Sequence, residues 1–238
     1  MALKVISLFS GAGGMDLGFR RAGFDIALAV EADPNCCATL RLNCPGTRVL
    51  EARVEDVPSA DILREAGLAP GEAALVIGGP PCQPFSLAGR RGGLGDPRGA
   101  MLMEFVRVVR DALPAAFVME NVPGLLSWGG GAASEAVLEA MGRPILLGGW
   151  AHTYHTVLGR LNAADFGVAQ SRERVFFVGN RAGGRVFEFP APTHGDPPLP
   201  RRRTVRDAIG HLPPAGAPSE AALRTAGSIK RRIETHGY

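Results

Sequence analysis

One cysteine lies in a loop whose composition would hold its side chain in a fixed position. Cys82 belongs to the segment Gly78-Gly79-Pro80-Pro81-Cys82-Gln83-Pro84-Phe85-Ser86, which follows a short apolar run. The prolines stiffen this loop because each of them fixes its own φ angle. A single cysteine is more often a small buried apolar residue than a nucleophile. A stiff loop directly after a predicted strand instead favours a positioned nucleophilic thiol.

A carboxyl group is expected at the same edge of the predicted sheet. Glu120, Asn121 and Val122 follow the next apolar run, and the carboxyl ends of neighbouring parallel strands lie at one edge. Cytosine is a substrate that needs both a thiol and an acid, because its carbon 5 is a poor nucleophile. Thiolate addition to carbon 6 activates the ring, and an acid at ring nitrogen 3 assists that addition. The alternative interpretation of Glu120 and Asn121 is a capped turn after a strand.

A glycine-rich segment near the start predicts a ligand site at the end of the first strand. Phe9-Ser10-Gly11-Ala12-Gly13-Gly14 precedes a helical pattern, and a helix N-terminus favours an anionic group such as the methionine carboxylate of S-adenosylmethionine. Glu31 follows about 20 residues later, where an acid binds ribose hydroxyls. Asp56, after the third predicted strand, could accept a bond from the adenine amine. Asp16 breaks the G-x-G-x-x-G spacing of dinucleotide sites, which disfavours hydride transfer.

Alternating apolar runs and helical patterns must position these loops. Strands are predicted over residues 4–9, 26–30, 48–50, 74–77, 117–119, 154–158 and 174–178, the last two as antiparallel neighbours. Helices are predicted over residues 15–22, 34–42, 60–66, 101–113 and 134–141. The alternation predicts an α/β fold: a doubly wound, Rossmann-like sheet with helices on both faces. Because proline and arginine become frequent near Pro190, residues 1–190 are predicted to form a catalytic and cofactor-binding domain and residues 191–238 a linker.

The bulk composition narrows the class of protein. Hydrophobic residues make up 46% of 238 residues, which is enough for a packed core. The apolar runs are too short to cross a bilayer, and four cysteines are too few for a disulfide framework or a zinc site. These features predict a protein of the reducing cytoplasm. The basic stretches at residues 201–206 and 230–232 are read either as solvated charge or as a strip that contacts phosphates.

Four motifs in one order resemble those of the DNA cytosine-5 methyltransferase family. They are the glycine segment, Gly-Pro-Pro-Cys-Gln around Cys82, Glu-Asn-Val from Glu120, and Gln-Ser-Arg-Glu-Arg-Val from Gln170, within residues 5–180. The resemblance implies methyl transfer from S-adenosyl-L-methionine to carbon 5 of cytosine in DNA through a covalent Cys82 adduct, in bacterial restriction–modification. It implies double-stranded DNA with a flipped cytosine as partner. Methylation of tRNA, and an inactive fragment or subunit of a split methyltransferase, are the alternatives.

The resemblance also implies roles for individual residues. Cys82 resembles the nucleophile, and Glu120 the carboxyl group that engages nitrogen 3 and the exocyclic amine. Asn121 would hold the cysteine loop, Arg174 would contact the base carbonyl, and Arg172 would support the loop or a phosphate. The expected cofactor-binding residues are Phe9, Ser10, Gly11, Ala12, Gly13, Gly14, Glu31, Asp56, Pro80 and Met101. Residues 86–98 resemble a mobile loop that closes over the flipped base, with an ordinary surface loop as the alternative.

The resemblance is incomplete after Arg174. In the family, a target recognition domain and then a segment that completes the cofactor pocket follow this motif. Residues 204–209 resemble the start of that domain, but no Gly-Asn closing motif follows in the sequence. We therefore expect residues 191–238 to hold a truncated start of the recognition region. A second polypeptide that carries the remainder, a truncated gene or fragment, or a minimal protein would each explain the pattern.

Overall fold

The structure, a computed structural model, describes residues 2–81, 100–181, 186–212, 216, 220 and 223–228. Its centre is a seven-stranded sheet with strand order β3-β2-β1-β4-β5-β9-β8, accompanied by a two-stranded hairpin of β6 and β7. The strands are β1 (Lys4–Leu8), β2 (Asp25–Glu31), β3 (Arg48–Glu51), β4 (Leu75–Gly78), β5 (Ala116–Asn121), β6 (Ile145–Leu147), β7 (Trp150–His152), β8 (Tyr154–Asn162) and β9 (Glu173–Arg181).

The sheet combines a parallel and an antiparallel part. Strands β1 to β5 pair in parallel, whereas β9 runs antiparallel between β5 and β8. The predicted antiparallel pairing of the last two strands is therefore confirmed. The insertion of β9 beside β5 has no local sequence signal, because it joins segments more than 50 residues apart in the chain.

Helices and short turns connect the strands. The α-helices are α1 (Gly14–Arg21), α2 (Pro34–Asn43), α3 (Ser59–Ala66), α4 (Ala100–Ala112), α5 (Gly124–Ser127), α6 (Ala132–Gly142) and α7 (Val205–Ile209). Short 3-10 turns cover Val54–Asp56, Trp128–Gly131 and Ala163–Phe166. The β6–β7 hairpin, α5 and the 3-10 turns were not predicted, because short elements carry little periodic signal.

Local chemistry explains where several helices begin and end. The Asp33 side chain accepts hydrogen bonds from the backbone amides of Asn35 and Cys36, and Pro34 occupies the first turn of α2. An acidic N-cap followed by proline is a strong start signal for a helix. Helix α3 ends at Gly67, whose φ of 63° is the left-handed conformation that glycine adopts readily.

Side chains alternate between the two faces of the sheet, and each face is covered. Ile6 and Leu8 of β1 join the larger core with helices α3, α4 and α6, whereas Val5 joins a smaller cluster with Met15 and Phe19 of α1. Helices therefore cover both faces, which confirms the predicted doubly wound architecture. The same alternation directs the Ser7 side chain toward α1.

Aromatic rings fill the larger core at the antiparallel side of the sheet. The Phe117 ring lies edge-to-face with Phe105, at 6.2 Å between centroids, and with Tyr154, at 5.3 Å. Gly179 on the neighbouring strand makes room for this ring, since a Cβ atom there would lie 2.1 Å from Phe117 Cε1. This packing holds β9 against β5, and with it the residues at the start of β9.

The segment after β9 packs back onto the preceding turn. The backbone amides of Thr193 and His194 donate to the Asp165 carbonyl, and the Asp165 carboxylate accepts from Arg202 at 2.7 Å. A capping box between Thr204 and Asp207 then starts α7. The domain boundary near residue 190 stays a prediction. Within the described ranges, we find no helix of the length and apolar character that a membrane crossing requires.

Candidate active site

The site lies where the strand order changes direction. Chain connections leave β1 toward β2 on one side, while β4 lies on the other side of β1, so a crevice opens at the carboxyl ends of these two strands. The glycine segment follows β1 there, and Gly79, Pro80 and Pro81 follow β4. Both predicted loops therefore meet at one edge of the sheet.

A cleft of about 420 Å³ opens at this edge, and we call it the Glu31 cleft. Its lining residues come from the ends of β1, β2, β3 and β4 and from the start of α4. They are Phe9, Val30, Glu31, Ala32, Ala52, Arg53, Val54, Glu55, Gly79, Pro81 and Met101. The volume lies in the range of roughly 300–1,000 Å³ that is typical of small-molecule sites.

Backbone amides hold the Glu31 carboxylate in place. Gly11 N–H donates to Glu31 Oε2 at 2.7 Å, and the amides of Ala32 and Asp33 each donate to Oε1 at 2.8 Å. Gly11 adopts a φ of 54°, which lets its amide reach across from the end of β1. Glu31 is therefore a fixed acceptor beside the glycine segment, as its predicted role requires.

The Glu31 cleft suits the nucleoside part of S-adenosylmethionine. Glu31 presents a carboxylate that can accept from ribose hydroxyls, and Phe9, Val54 and Met101 provide apolar wall for a purine ring. In the glycine segment, Gly13 packs closely against α2, since a Cβ atom at Gly13 would lie 2.7 Å from Leu40 Cδ2. The described residues thus fit the cofactor that the motifs imply.

Several residues expected to bind cofactor lie elsewhere. Asp56 does not line the cleft: it ends the 3-10 turn Val54–Asp56, its side chain is 67% exposed, and its Oδ2 lies 3.8 Å from Arg53 Nε. Arg53 and Glu55 line the cleft instead. Their position directly after β3 is the signal that could have identified them. Pro80 is buried, and the residues on either side of it line the cleft.

The glycine segment itself serves different cavities. Phe9 lines the Glu31 cleft, Ser10 lines a smaller neighbouring cavity, and Gly14 lines a third. Ala12 and Gly13 line none of these three. Ala12 is exposed, whereas Gly13 is buried against α2.

A second cavity of about 430 Å³ contains the predicted acid and both predicted arginines, and we call it the Glu120 cavity. Arg174 Nε lies 2.7 Å from Glu120 Oε1, and both side chains are mostly buried. Sheet register explains this contact: Glu120 pairs with Phe176, so Arg174 is its diagonal neighbour on the same face. Arg172 lines the same cavity.

Asn121 lies beside Glu120 in sequence but has a different task. It is 1% exposed; its Nδ2 donates to the Pro80 carbonyl at 3.3 Å and its Oδ1 accepts from the Val122 amide at 2.9 Å. Asn121 therefore ties the end of β5 to the loop that leads to Cys82. Cys82 and residues 86–98 lie outside the described residues, whereas Pro81 lines the Glu31 cleft.

A smaller cavity of about 220 Å³ lies between these two sites, and we call it the Asp16 cavity. It shares Phe9 and Gly79 with the Glu31 cleft and shares Met15 and Glu120 with the Glu120 cavity. The three cavities are therefore neighbours along the carboxyl edge of the sheet. Sequence reasoning did not assign Asp16 or Ser7 to this region.

A doubly wound sheet with a glycine segment after its first strand and a fixed acid after its second is the arrangement of α/β enzymes that bind a nucleotide-containing cofactor. Comparison with known proteins identifies the particular family. The profile of the C-5 cytosine-specific DNA methylases matches residues 3–229, and the chain belongs to that family. This confirms the resemblance seen in the four motifs. The family uses S-adenosyl-L-methionine as methyl donor, as the sequence predicts.

Relatives agree with this assignment over different lengths. The chain is 53% identical to type II methyltransferase M.AquIA of Picosynechococcus sp., over 100% of both chains. It is 43% identical to type II methyltransferase M1.HphI of Haemophilus parahaemolyticus, over 91% of this chain but 55% of that protein. A crystal structure of a putative prophage-encoded DNA modification methyltransferase (E. coli) covers 90% of this chain, with 30% identity and a TM-score of 0.73; the chain spans 56% of that structure.

Proposed function

We propose that this chain transfers a methyl group from S-adenosyl-L-methionine to carbon 5 of cytosine in double-stranded DNA, as part of a bacterial restriction–modification system. The observation that carries the proposal is the Glu120–Arg174 pair, which lies in a cavity separated from the Glu31 cleft only by the Asp16 cavity, whose lining shares residues with both. The Glu120 carboxyl group, which can engage cytosine, is thus close to the cleft that fits the methyl donor. The names of its relatives as type II methyltransferases support the biological setting.

In the proposed reaction, Cys82 is the nucleophile. Its thiolate forms a bond to carbon 6 of a flipped-out cytosine, and electron density moves to carbon 5. The methyl donor supplies an electrophilic methyl group, and carbon 5 accepts it. Loss of the carbon 5 proton then restores the double bond and expels the thiolate, so the enzyme is regenerated.

Glu120 and Arg174 would orient the base for this addition. The Glu120 carboxyl group engages ring nitrogen 3 and the exocyclic amine, and the Arg174 guanidinium holds that carboxyl group while it reaches the base carbonyl. Arg172 lines the same cavity and supports the loop or a DNA phosphate. Asn121 positions the nucleophile loop through its bond to the Pro80 carbonyl.

We further propose that a second polypeptide supplies the target recognition domain and the segment that completes the cofactor pocket. M.AquIA matches this chain over the full length of both proteins, whereas the match to M1.HphI covers 55% of that protein. DNA sequence specificity would then come from that partner, because base contacts specify a site and phosphate contacts position the protein.

Cys36, Cys37 and Cys44 are free thiols, which agrees with a cytoplasmic location.

Covalent trapping tests the proposed reaction. A duplex that carries 5-fluorocytosine retains the enzyme, because fluorine at carbon 5 cannot leave as a proton does. With methyl donor and the product of the adjacent reading frame, we expect a covalent adduct with the wild-type chain and none with Cys82→Ser. Cys36→Ser is the matched control and should trap as the wild type does. Glu120→Gln should slow adduct formation by about 10²-fold or more.

The alternative functions predict different outcomes of the same assay. An adduct with tRNA but not with duplex DNA would favour the tRNA methyltransferase. No adduct with either nucleic acid, even with the partner present, would support an inactive fragment or subunit. An adduct that persists in Cys82→Ser would contradict the proposed nucleophile.

A further inference from the structure

The basic stretch at residues 201–206 has no part in the proposed reaction, and its charge calls for an explanation. It holds four arginines within six residues, in a chain whose formal net charge is only +3. They are Arg201, Arg202, Arg203 and Arg206. Like charges so close together repel one another, unless carboxylates of the protein neutralise them or an anionic ligand does. The contacts of each arginine distinguish these two cases.

Two of the four arginines are neutralised within the protein. Arg201 donates to both carboxylate oxygens of Asp207, at 2.7 and 2.8 Å, and Arg202 Nε donates to Asp165 Oδ1 at 2.7 Å. Asp207 also forms a capping box with Thr204, so the same carboxylate closes the segment on itself. These contacts fix the course of the backbone from residue 201 to residue 207.

The other two arginines present free guanidinium groups. Arg203 and Arg206 are exposed, and neither side chain has a hydrogen-bond or ion-pair partner within the part of the chain that the structure describes. A guanidinium group stays charged at physiological pH, and its fork of donors matches the oxygens of a phosphate group. Because the backbone around both residues is already held, binding an anion would order little more than the two side chains.

The basic stretch is attached beside the Glu120 cavity. Asp165, which holds Arg202, belongs to the 3-10 turn Ala163–Phe166, and the first and last residues of that turn line the cavity. Arg203 follows Arg202 directly, so their Cα atoms lie about 3.8 Å apart. A base that is flipped into the cavity stays attached to its strand, and the phosphate groups on either side of that base must pass close to the cavity.

We propose that Arg203 and Arg206 bind phosphate groups of the DNA strand that carries the flipped cytosine, while Arg201 and Arg202 hold the basic stretch in place. The inference deepens the proposed function and rests on it, because it assumes that a cytosine of duplex DNA enters the Glu120 cavity. The two contacts are independent of base sequence, since phosphate groups carry no sequence information. The chain thus grips the DNA backbone with its own residues, apart from any partner that reads the sequence.

The salt dependence of DNA binding tests the inference. The affinity of the full chain for a fluorescently labelled duplex is measured by fluorescence anisotropy between about 50 and 200 mM salt. Arg203→Gln and Arg206→Gln should each reduce the slope of log affinity against log salt by about 0.9, and the double variant by about 1.8. A rise in salt of about fourfold should then weaken DNA binding by the double variant about twelvefold less than binding by the wild type. Arg203→Lys with Arg206→Lys keeps both charges and should retain most of the wild-type slope.

Arg21→Gln is the matched control for the single variants. Arg21 is an exposed arginine at the end of α1, at the edge of the sheet opposite the cavities, and it has no ion-pair partner among the described residues. Its substitution removes the same charge and should leave the slope within about 0.2 of the wild type.

Each other outcome counts against the inference. Wild-type slopes in Arg203→Gln and Arg206→Gln would overturn it, and covalent trapping would still decide the proposed function. An equal loss of slope in Arg21→Gln would reveal an effect of net charge alone, and a double lysine variant as weakened as the double glutamine variant would reveal a structural role. Unchanged DNA binding with lost binding of the second polypeptide would identify an acidic protein surface as the ligand instead. If the wild type does not bind duplex DNA at all, the proposed function and this inference both fail.

Discussion

Arg107 on α4 shapes the Glu31 cleft without lining it, and its removal should weaken cofactor binding. Its Nη2 donates to the carbonyls of Val54 at 3.0 Å and Val57 at 3.2 Å, and its Nη1 donates to Ser59 Oγ at 2.6 Å. These bonds hold the 3-10 turn from which Val54 and Glu55 line the cleft. We therefore expect Arg107→Met, which keeps the apolar stem of the side chain, to release this turn.

The expected magnitude follows from the bonds that are lost. Hydrogen bonds to charged groups contribute roughly 1.5–3 kcal/mol each when buried. Because the Arg107 side chain is 30% exposed, we expect about 2 kcal/mol of lost stability in total. For a domain of this size that lowers Tm by about 4–8 °C. Because binding has to recover no more than this loss of about 2 kcal/mol when it orders the turn again, affinity for S-adenosylhomocysteine should fall by about tenfold and by no more than about 30-fold.

Arg110, one turn along the same helix, is a matched control. Its guanidinium donates to the carbonyls of Ala140 at 2.6 Å, Arg143 at 2.9 Å and Pro144 at 3.2 Å, which lie at the end of α6 and beyond it. Arg110→Met should therefore destabilise the fold comparably but change affinity by less than about twofold. Calorimetry and thermal unfolding of both variants separate the two effects. Equal loss of affinity in the two variants, or full affinity in Arg107→Met, would refute the reasoning.

Three further variants and one control test the packing of the sheet and the cost of the buried Asp16 carboxyl group. Gly78→Ala places a methyl group 2.5 Å from a carbonyl oxygen of β1 and should lower the stability of the fold by about 2 kcal/mol in thermal unfolding. Gly18→Ala is the control, because open space surrounds Gly18 in α1, and it should raise stability slightly. Tyr154→Phe leaves the Pro114 carbonyl without its 2.7 Å donor and should cost about 1–2 kcal/mol in chemical denaturation. Burial raises the pKa of Asp16 in the folded chain, so its ionisation disfavours folding. Asp16→Asn should therefore stabilise the chain at about pH 8 relative to the wild type. The gain should shrink as pH falls toward the ordinary aspartate pKa of about 3.8. Unfolding curves for Asp16→Asn without this pH trend would contradict the burial argument.

The cofactor side of the site was largely predictable because its signals are local. Apolar runs of strand length end at the glycine segment and at Glu31, and they predict that both lie at the carboxyl edge of the sheet. In the structure, Glu31 accepts a hydrogen bond from the Gly11 amide of the glycine segment. The same reasoning placed Asp56 beside the cofactor, whereas in the structure Asp56 ends a three-residue 3-10 turn outside the Glu31 cleft. A turn of this length leaves no periodic signal in the sequence. Arg53 and Glu55 line the cleft in its place.

The sequence by itself determined the family, which loops follow the parallel strands, and the kinds of chemical groups at the site. It could do so because motifs and apolar periodicity lie within short segments of the chain. Only the tertiary structure decided that Arg174 contacts Glu120, because that pair depends on β9 entering the sheet antiparallel beside β5. It also decided that Ser7 faces Asp16. Such contacts depend on how distant segments pack and on strand register, and a shift of one residue would turn each side chain to the opposite face.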